Sequence, residues 1–155
     1  MTKKRLDTLL TPELYCSNIK VSLAFYTETL GFTIQYERAD EGFAMLERQG
    51  ARIMLDEMGK SSSNVSRRWL AAALELPFGR GVNFQIKTSA IDMLYEKVQS
   101  KDVSIFLPIE NKWYRANNVE IGQRQFIVLD PDGYMLRFVE ELGERPIYSP
   151  GGLCL

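Results

Sequence analysis

The sequence pattern predicts the same order of secondary-structure elements twice: one strand, one helix and then three strands. Residues 23–26 and 93–95 occupy equivalent positions on the two predicted helices, and residues 31–34 parallel residues 102–105. An internal repeat of this kind is best explained by two similar βαβββ modules. Because each sheet buries one face against its own helix, we expect an α+β fold. Its remaining sheet faces are predicted to form one curved mixed sheet with a concave cleft.

The segment 123–141 contains the best-defined turn of the chain. Two apolar runs flank Asp130-Pro131-Asp132-Gly133, where proline fixes φ at the second turn position and glycine takes the positive φ that closes the turn. Beyond the turn, Leu136 and Phe138 alternate with Arg137. Arg137 is therefore predicted on the face opposite the core, either as a solvated side chain or as part of a site.

The first module is predicted over residues 11–58. Ser17 and Asn18 can cap its helix, and Gly31 follows the last apolar residue of the helical pattern, as glycine commonly does just past a helix. Apolar residues recur within the helix at the helical period. The predicted elements are a strand over 11–16, a helix over 19–30 and strands over 32–38, 43–48 and 52–57.

Residues 59–80 are predicted to link the modules. The small polar run 59–66 indicates a loop. The run 67–76, rich in alanine and leucine, predicts a short helix that Pro77 and the turn at 79–81 end. The second module is predicted over 81–141 and a tail over 142–155. Its predicted elements are a strand over 82–88, a helix over 91–101, and then strands over 103–109, 113–117, 120–129 and 134–141, which is one strand more than follows the first helix.

The composition predicts one ordinary globular domain of 155 residues. A net charge of −1 gives no electrostatic case for nucleic acid or an anionic membrane as a partner. No apolar run reaches the length of a membrane span. With no recognisable export signal and only two cysteines, Cys16 and Cys154, a reducing cytoplasm is the expected compartment.

The chain contains no histidine, which narrows the possible chemistry. Ser-His-Asp and Cys-His catalysis are excluded, and so is a thiolate zinc site, because no CxxC pair exists. Any metal would need carboxylate or amide oxygens. Cys16 alternates with Leu14 on the apolar face and is predicted to be a buried structural thiol. No catalytic residue, metal or cofactor is predicted.

Four phrases of the sequence, SLAFYTETLGF, GRGVNFQI, WYR and RQFIVLDPDGYMLRFVE, carry a family resemblance. Together they resemble the vicinal oxygen chelate superfamily of glyoxalases, bleomycin resistance proteins and extradiol dioxygenases. The resemblance covers residues 11–141 and is nearest to the metal-free bleomycin resistance branch. It implies two βαβββ modules, a dimer, and a ligand held against the concave sheet faces.

Metalloenzymes of this superfamily carry one metal ligand on each of four strands. Alignment on the quoted phrases brings those positions to Thr11, Met54, Asn83 and Arg137. None is a carboxylate or an imidazole, and Arg137 places a cation where the metal would lie. The resemblance therefore favours a metal-free protein, as in the bleomycin-binding relatives.

The concave faces are predicted to bind a polar, partly planar ligand. Amides, a guanidinium and carboxylates supply hydrogen bonds, and the tryptophans could stack on heteroaromatic rings. Core packing explains each tryptophan equally well, and an ion pair of Glu13 or Asp56 with Arg137 is an alternative for those charges. The predicted ligand-binding residues are Glu13, Tyr15, Met54, Asp56, Trp69, Asn83, Gln85, Trp113, Arg115 and Arg137.

The function predicted first is stoichiometric sequestration of an antibiotic or other small molecule. The alternative is a metal-dependent lyase, isomerase or dioxygenase with carboxylate ligands, and a third possibility is a binder of an unknown metabolite. The near-neutral charge leaves bleomycin itself open as the ligand. The resemblance and the exposed strand edges predict a homodimer. The tail could lie over the partner through Ile147, Tyr148 and Leu153.

Overall fold

The computed structural model describes residues 10–60 and 69–147 and has an α+β fold. Two four-stranded mixed sheets form it, each with one helical segment between its first and second strands, so the prediction of two βαβββ modules is confirmed. The strand order is β1-β4-β3-β2 in the first sheet and β5-β8-β7-β6 in the second. Each sheet therefore has one parallel pair, formed by its first and last strands, and two antiparallel pairs.

The first sheet follows the predicted alternation. Leu14 and Cys16 on β1 are buried with Ile53 and Leu55 on β4, as expected for the core face. Turns with glycine at positive φ connect the later strands, at Gly42 and Gly50. The strands are β1 (Glu13–Cys16), β2 (Thr33–Arg38), β3 (Phe43–Arg48) and β4 (Ala51–Glu57).

The first helical segment is less regular than the continuous helix predicted over 19–30. Helix α1 (Ile19–Ala24) begins at Asn18, whose side chain accepts from the backbone N–H groups of Lys20 and Val21, and it passes into a π-helical turn (Phe25–Thr29). The wider turn carries Tyr26, which is fully buried. Short π-helical turns of this kind are rare and often occur at functional or structurally specialised positions.

The second sheet is longer than predicted. The separate strands expected over 103–109 and 113–117 form one strand, and the last strand runs five residues past its expected end at residue 141. Both extensions follow from pairing with the long central strand β7, which satisfies their backbone groups. The elements are β5 (Asn83–Lys87), α2 (Ile91–Gln99), β6 (Ile105–Ala116), β7 (Val119–Leu129) and β8 (Met135–Pro146).

The helix predicted over 67–76 is wrong where the structure describes it, because residues 69–76 lie in turns and irregular backbone. Residues 67 and 68, the loop at 61–66, and Tyr148 and Leu153 of the tail lie outside the described residues. Alanine propensity alone does not stabilise so short a helix, and a proline disfavours helical backbone in the residue before it. The turn at Gly79 and Gly81 is confirmed, with positive φ at both glycines.

The two modules share one hydrophobic core, and the turn at 130–133 joins them. The Tyr26 hydroxyl donates to the Asp130 carboxylate at 2.9 Å, and the backbone N–H and hydroxyl of Ser17 donate to Asp132 at 3.1 and 2.5 Å. Asp130 also accepts from the backbone N–H groups of Asp132 and Tyr134. This turn of the second module is therefore docked on the first module by buried carboxylates that accept from Tyr26 and Ser17. None of the helices in the described ranges is long and apolar enough to cross a membrane.

Candidate functional site

Each sheet has one face turned away from the shared core, and strand register decides which side chains lie there. In the first sheet, Glu13 is opposite Met54 and Tyr15 is opposite Asp56. In the second sheet, Gln85 is opposite Arg137. The first outer face comprises Glu13, Tyr15, Tyr36, Arg38, Phe43, Met54 and Asp56, and the second outer face comprises Asn83, Gln85, Glu110, Tyr114, Gln125 and Arg137.

Two carboxylates on neighbouring strands give the first outer face its electrostatic character. Burial raises the pKa of Glu13, and the negative charge of Asp56 raises it further. Burial likewise raises the pKa of Asp56, while the nearby Arg38 guanidinium lowers it. Arg38 pairs with Glu41 at 2.6 Å. The face therefore holds partly desolvated carboxylates close to one another, an arrangement that favours a proton or a cationic group.

Aromatic rings lie beside these carboxylates. Tyr36 is stacked on Phe43 with ring centroids 6.1 Å apart, and the Arg38 guanidinium lies 3.9 Å from the centre of the Phe43 ring. Tyr15 is buried, and it lines a cavity of about 620 Å³ with Met58, Leu70 and nearby residues. The sequence reasoning missed Tyr36, Arg38 and Phe43. Extending the strand alternation to β2 and β3 would have found them.

Arg137 is the central cation of the second outer face. One of its terminal nitrogens, Nη2, donates to the Gln85 side-chain carbonyl at 2.6 Å. Its Nε is buried and has no hydrogen-bond partner. Arg137 makes no ion pair with Glu13, Asp56 or any other residue in the part of the chain that the structure describes. A buried donor without an acceptor is uncommon in folded proteins and calls for a partner.

Gln125 supports the second outer face from the neighbouring strand. It is almost fully buried, its amide nitrogen donates to Glu110 at 2.9 Å, and its side chain is hydrogen-bonded to the Tyr114 hydroxyl. Ile127, which is on β7 with Gln125, lies opposite Arg137 of β8. The amides, the guanidinium and Ile127 together form a surface that offers donors and acceptors beside an apolar side chain.

Trp113 and Arg115 are not brought to Arg137. The Trp113 ring covers Gly122, at the register position where a Cβ would lie 2.7 Å from the ring, and Arg145 stacks on it at 4.2 Å. Strand alternation places Gly122 on the face opposite Gln125. Arg115 donates to the Asn117 carbonyl within its hairpin, and Trp69 is 69% exposed in a turn.

Comparisons with known proteins agree with this fold. The Glyoxalase/Bleomycin resistance protein/Dioxygenase superfamily model matches residues 5–138. The chain is 30% identical over 138 residues to bleomycin resistance proteins of Geobacillus stearothermophilus and Staphylococcus aureus, covering 84% of this chain and 95% of each relative. The chain belongs to this superfamily. TioX from Micromonospora sp. ML1 has the same fold, with a TM-score of 0.64 at 18% identity over 86% of this chain and 98% of TioX.

Because the chain belongs to the superfamily, we compare the four positions that align with its metal ligands with the structure. Met54, Asn83 and Arg137 lie on the outer faces, on strands β4, β5 and β8. Thr11 precedes β1. Within residues 10–60 and 69–147, no group of three or more acidic, cysteine or histidine side chains could hold a metal ion. The residues present at these positions thus do not suit a transition metal, and the absence of a metal stays a prediction.

Proposed function

We propose that the protein binds and sequesters a small polar ligand with an aromatic part, without a metal, in the manner implied by its relationship to bleomycin resistance proteins. The observation that carries the proposal is the buried Nε of Arg137, which has no acceptor in the described structure. A ligand carbonyl or carboxylate at Arg137 would supply that acceptor. A hydrogen bond to a charged group of this kind contributes about 1.5 to 3 kcal/mol.

The first outer face suits the opposite end of such a ligand. Glu13 and Asp56 have raised pKa values because burial disfavours their charged forms, so a cationic group beside them would be favoured. Tyr36 and Phe43 present a stacked aromatic pair next to them. Aromatic faces attract both cations and flat heteroaromatic rings. A ligand with a cationic heteroaromatic part and a carbonyl part fits both faces.

Sequestration is favoured over catalysis by what the two faces lack. The chain has no histidine, and the four aligned positions hold a threonine, a methionine, an asparagine and an arginine. The relatives at 30% identity are named bleomycin resistance proteins, which makes antibiotic resistance the first role to test. The free, buried Cys16 fits the cytoplasmic location expected from the sequence.

We also propose a homodimer in which each outer face is completed by the partner. Every residue of edge strand β2 is exposed, including the large apolar side chains of Ile34 and Tyr36. The edge strand β6 exposes Phe106 as well. Unpaired strand edges and exposed apolar side chains are the features by which sheets associate. Two outer faces from different copies would then enclose a ligand that one open face cannot.

Calorimetric titration with bleomycin, beside a panel of small heteroaromatic carboxylates and amides, tests ligand binding. Arg137→Ala is expected to weaken binding about 10- to 100-fold, because it removes a charged hydrogen bond. Arg124→Ala is the matched control, since Arg124 pairs with Asp92 and Asn111 on the other face of β7 and should leave affinity unchanged. Equal affinities for both variants, with intact folds, would refute the role of Arg137.

Sedimentation velocity at micromolar concentration tests the dimer independently of any ligand. A species at twice the monomer mass is expected, and Tyr36→Glu on the exposed strand β2 should shift it toward monomer. The matched control is a charge introduced away from both outer faces, Val21→Glu, at an exposed position on α1. A single species at the monomer mass for the unaltered protein would overturn the proposed dimer.

A further inference from the structure

A groove separate from both outer faces runs along the seam between the modules. It encloses about 420 Å³. One wall is formed by the end of the first helical segment and the β3–β4 turn, and the other by the residues around the start of α2 and along its exposed side. The side chains used below are Leu30, Arg48, Ser89, Met93, Leu94 and Lys97.

Arg48 is the unusual residue of this groove. Its Nε donates to the Leu30 carbonyl at 2.9 Å, and its Nη1 donates to the Thr88 hydroxyl at 2.7 Å. The guanidinium lies 5.6 Å from the centre of the Phe138 ring. All these partners are neutral, and Arg48 makes no ion pair with any residue in the described ranges. Burial lowers the pKa of Arg48, with no carboxylate opposing that effect.

Two carboxylates, Glu47 and Glu140, lie near the groove, and neither forms an ion pair with Arg48 in the described ranges. Glu47 also lines the groove, and its carboxylate accepts from the backbone N–H of Gly50 at 2.6 Å. Glu140 accepts from the backbone N–H groups of Ala90 and Ile91 and so caps the start of α2. A partly desolvated cation without a counter-ion is costly, and the cost falls when an anion binds beside it.

The rim of the groove is held in a fixed shape. Gln49 and Ser89 are joined by two hydrogen bonds of 3.0 and 3.2 Å, which tie the two modules together at one end of the groove. Gln49 and Ala90 have positive φ values of 49° and 53°. Such backbone conformations in non-glycine residues are uncommon and are concentrated at binding sites. A fixed rim lowers the entropic cost of binding.

We propose that this groove binds a small oxyanion, a carboxylate or phosphate group carried on a short apolar chain. Arg48 and Lys97 supply two positive charges against the single Glu47 carboxylate of the lining, and the exposed Ser89 supplies a hydroxyl donor. Leu30, Leu94 and Met93 offer apolar contacts to the chain, and Met93 is largely exposed at the mouth. The site lies apart from Arg137 and is independent of the proposed sequestration function.

Titration of the ¹⁵N-labelled protein with sodium butyrate and, separately, with inorganic phosphate tests the proposal by NMR. Saturable shifts of the Gln49, Ser89 and Ala90 amides are expected, with dissociation constants of about 1 to 10 mM for such small probes. Tighter binding of butyrate would identify an apolar carboxylate as the ligand class, and tighter binding of phosphate a phosphate monoester. Equal additions of sodium chloride control for ionic strength.

Variants separate a binding role of Arg48 from a structural one. Lys97 is exposed on α2, so Lys97→Ala should keep the fold and weaken binding about threefold to tenfold. Arg48→Gln should abolish the saturable shifts, whereas Arg137→Ala should leave them unchanged. Absence of saturable shifts with both probes, or unchanged binding in Lys97→Ala, would overturn the proposal even if Arg48→Gln failed to fold.

Discussion

Replacing Asp130 should change how stability depends on pH. Its carboxylate is 5% exposed and accepts hydrogen bonds from the backbone N–H groups of Asp132 and Tyr134, at 3.0 and 2.9 Å. The Tyr26 hydroxyl donates to it at 2.9 Å. Burial raises the pKa of Asp130 from its ordinary value of 3.8 to about 6, although these hydrogen bonds oppose the rise.

The direction in which the free energy of unfolding changes with pH depends on which state, folded or unfolded, holds the Asp130 proton. Between pH 4 and 6 the folded protein keeps the Asp130 proton while the unfolded chain has lost it, so the free energy of unfolding falls as pH rises. The pKa difference corresponds to about 3 kcal/mol in total, of which about 2 kcal/mol is lost between pH 4.5 and 7.5. Above pH 7 this contribution no longer changes.

Urea unfolding at several pH values measures the effect. Asp130→Asn keeps an acceptor for the two backbone N–H groups and cannot ionise, and the Tyr26 hydroxyl can accept from its amide nitrogen. Its stability relative to the unaltered protein should therefore rise by about 2 kcal/mol between pH 4.5 and 7.5. Taking this difference cancels the similar contributions of Glu13 and Asp56, whose pKa values are also raised.

Two results would refute the reasoning. A stability difference between Asp130→Asn and the unaltered protein that does not change with pH would mean that Asp130 titrates normally in the folded protein. Asp130→Ala should be destabilised at every pH by about 3 kcal/mol or more, because it leaves three buried donors without an acceptor. Equal stabilities of the Asn and Ala variants would show that the carboxyl oxygens do not join the modules.

Three further predictions concern the turn, the thiol and the metal. Gly133→Ala should destabilise the fold by about 2 kcal/mol more than Gly50→Ala in thermal unfolding. Both glycines have positive φ, but only at Gly133 would a Cβ meet Pro77. Equal losses of stability in the two variants would contradict this. In a Cys154→Ser background, Cys16 should not react with a thiol reagent in the folded protein, because it is fully buried and its pKa is raised to about 12; rapid modification would contradict its burial. Elemental analysis of protein purified without chelator should find no stoichiometric transition metal, and one that resists dialysis would contradict the metal-free prediction.

Periodicity in the sequence was enough to predict the module architecture. The alternation of Leu14 with Glu13 and of Leu136 with Arg137 identified the core face of each sheet, since strand side chains point to opposite sides in turn. The Asp130–Gly133 turn was equally clear, because proline and glycine restrict the backbone locally. These features depend on residues close together in the chain, and they correctly placed Arg137 and Gln85 on one face.

Features that depend on distant contacts could not be read in this way. The alanine-rich run at 69–76 has helical propensity, but the structure has no helix there, because propensity alone does not stabilise so short a helix. Trp113 was among the residues predicted to bind ligand in the cleft, yet the strand register sets it over Gly122, on the face opposite Gln125. The groove at Arg48 and the docking of Tyr26 on Asp130 join residues 40 or more positions apart. Only tertiary packing decides which of a residue's possible partners desolvates it, and desolvation is what shifts the pKa of Asp130 and leaves Arg48 without a counter-ion.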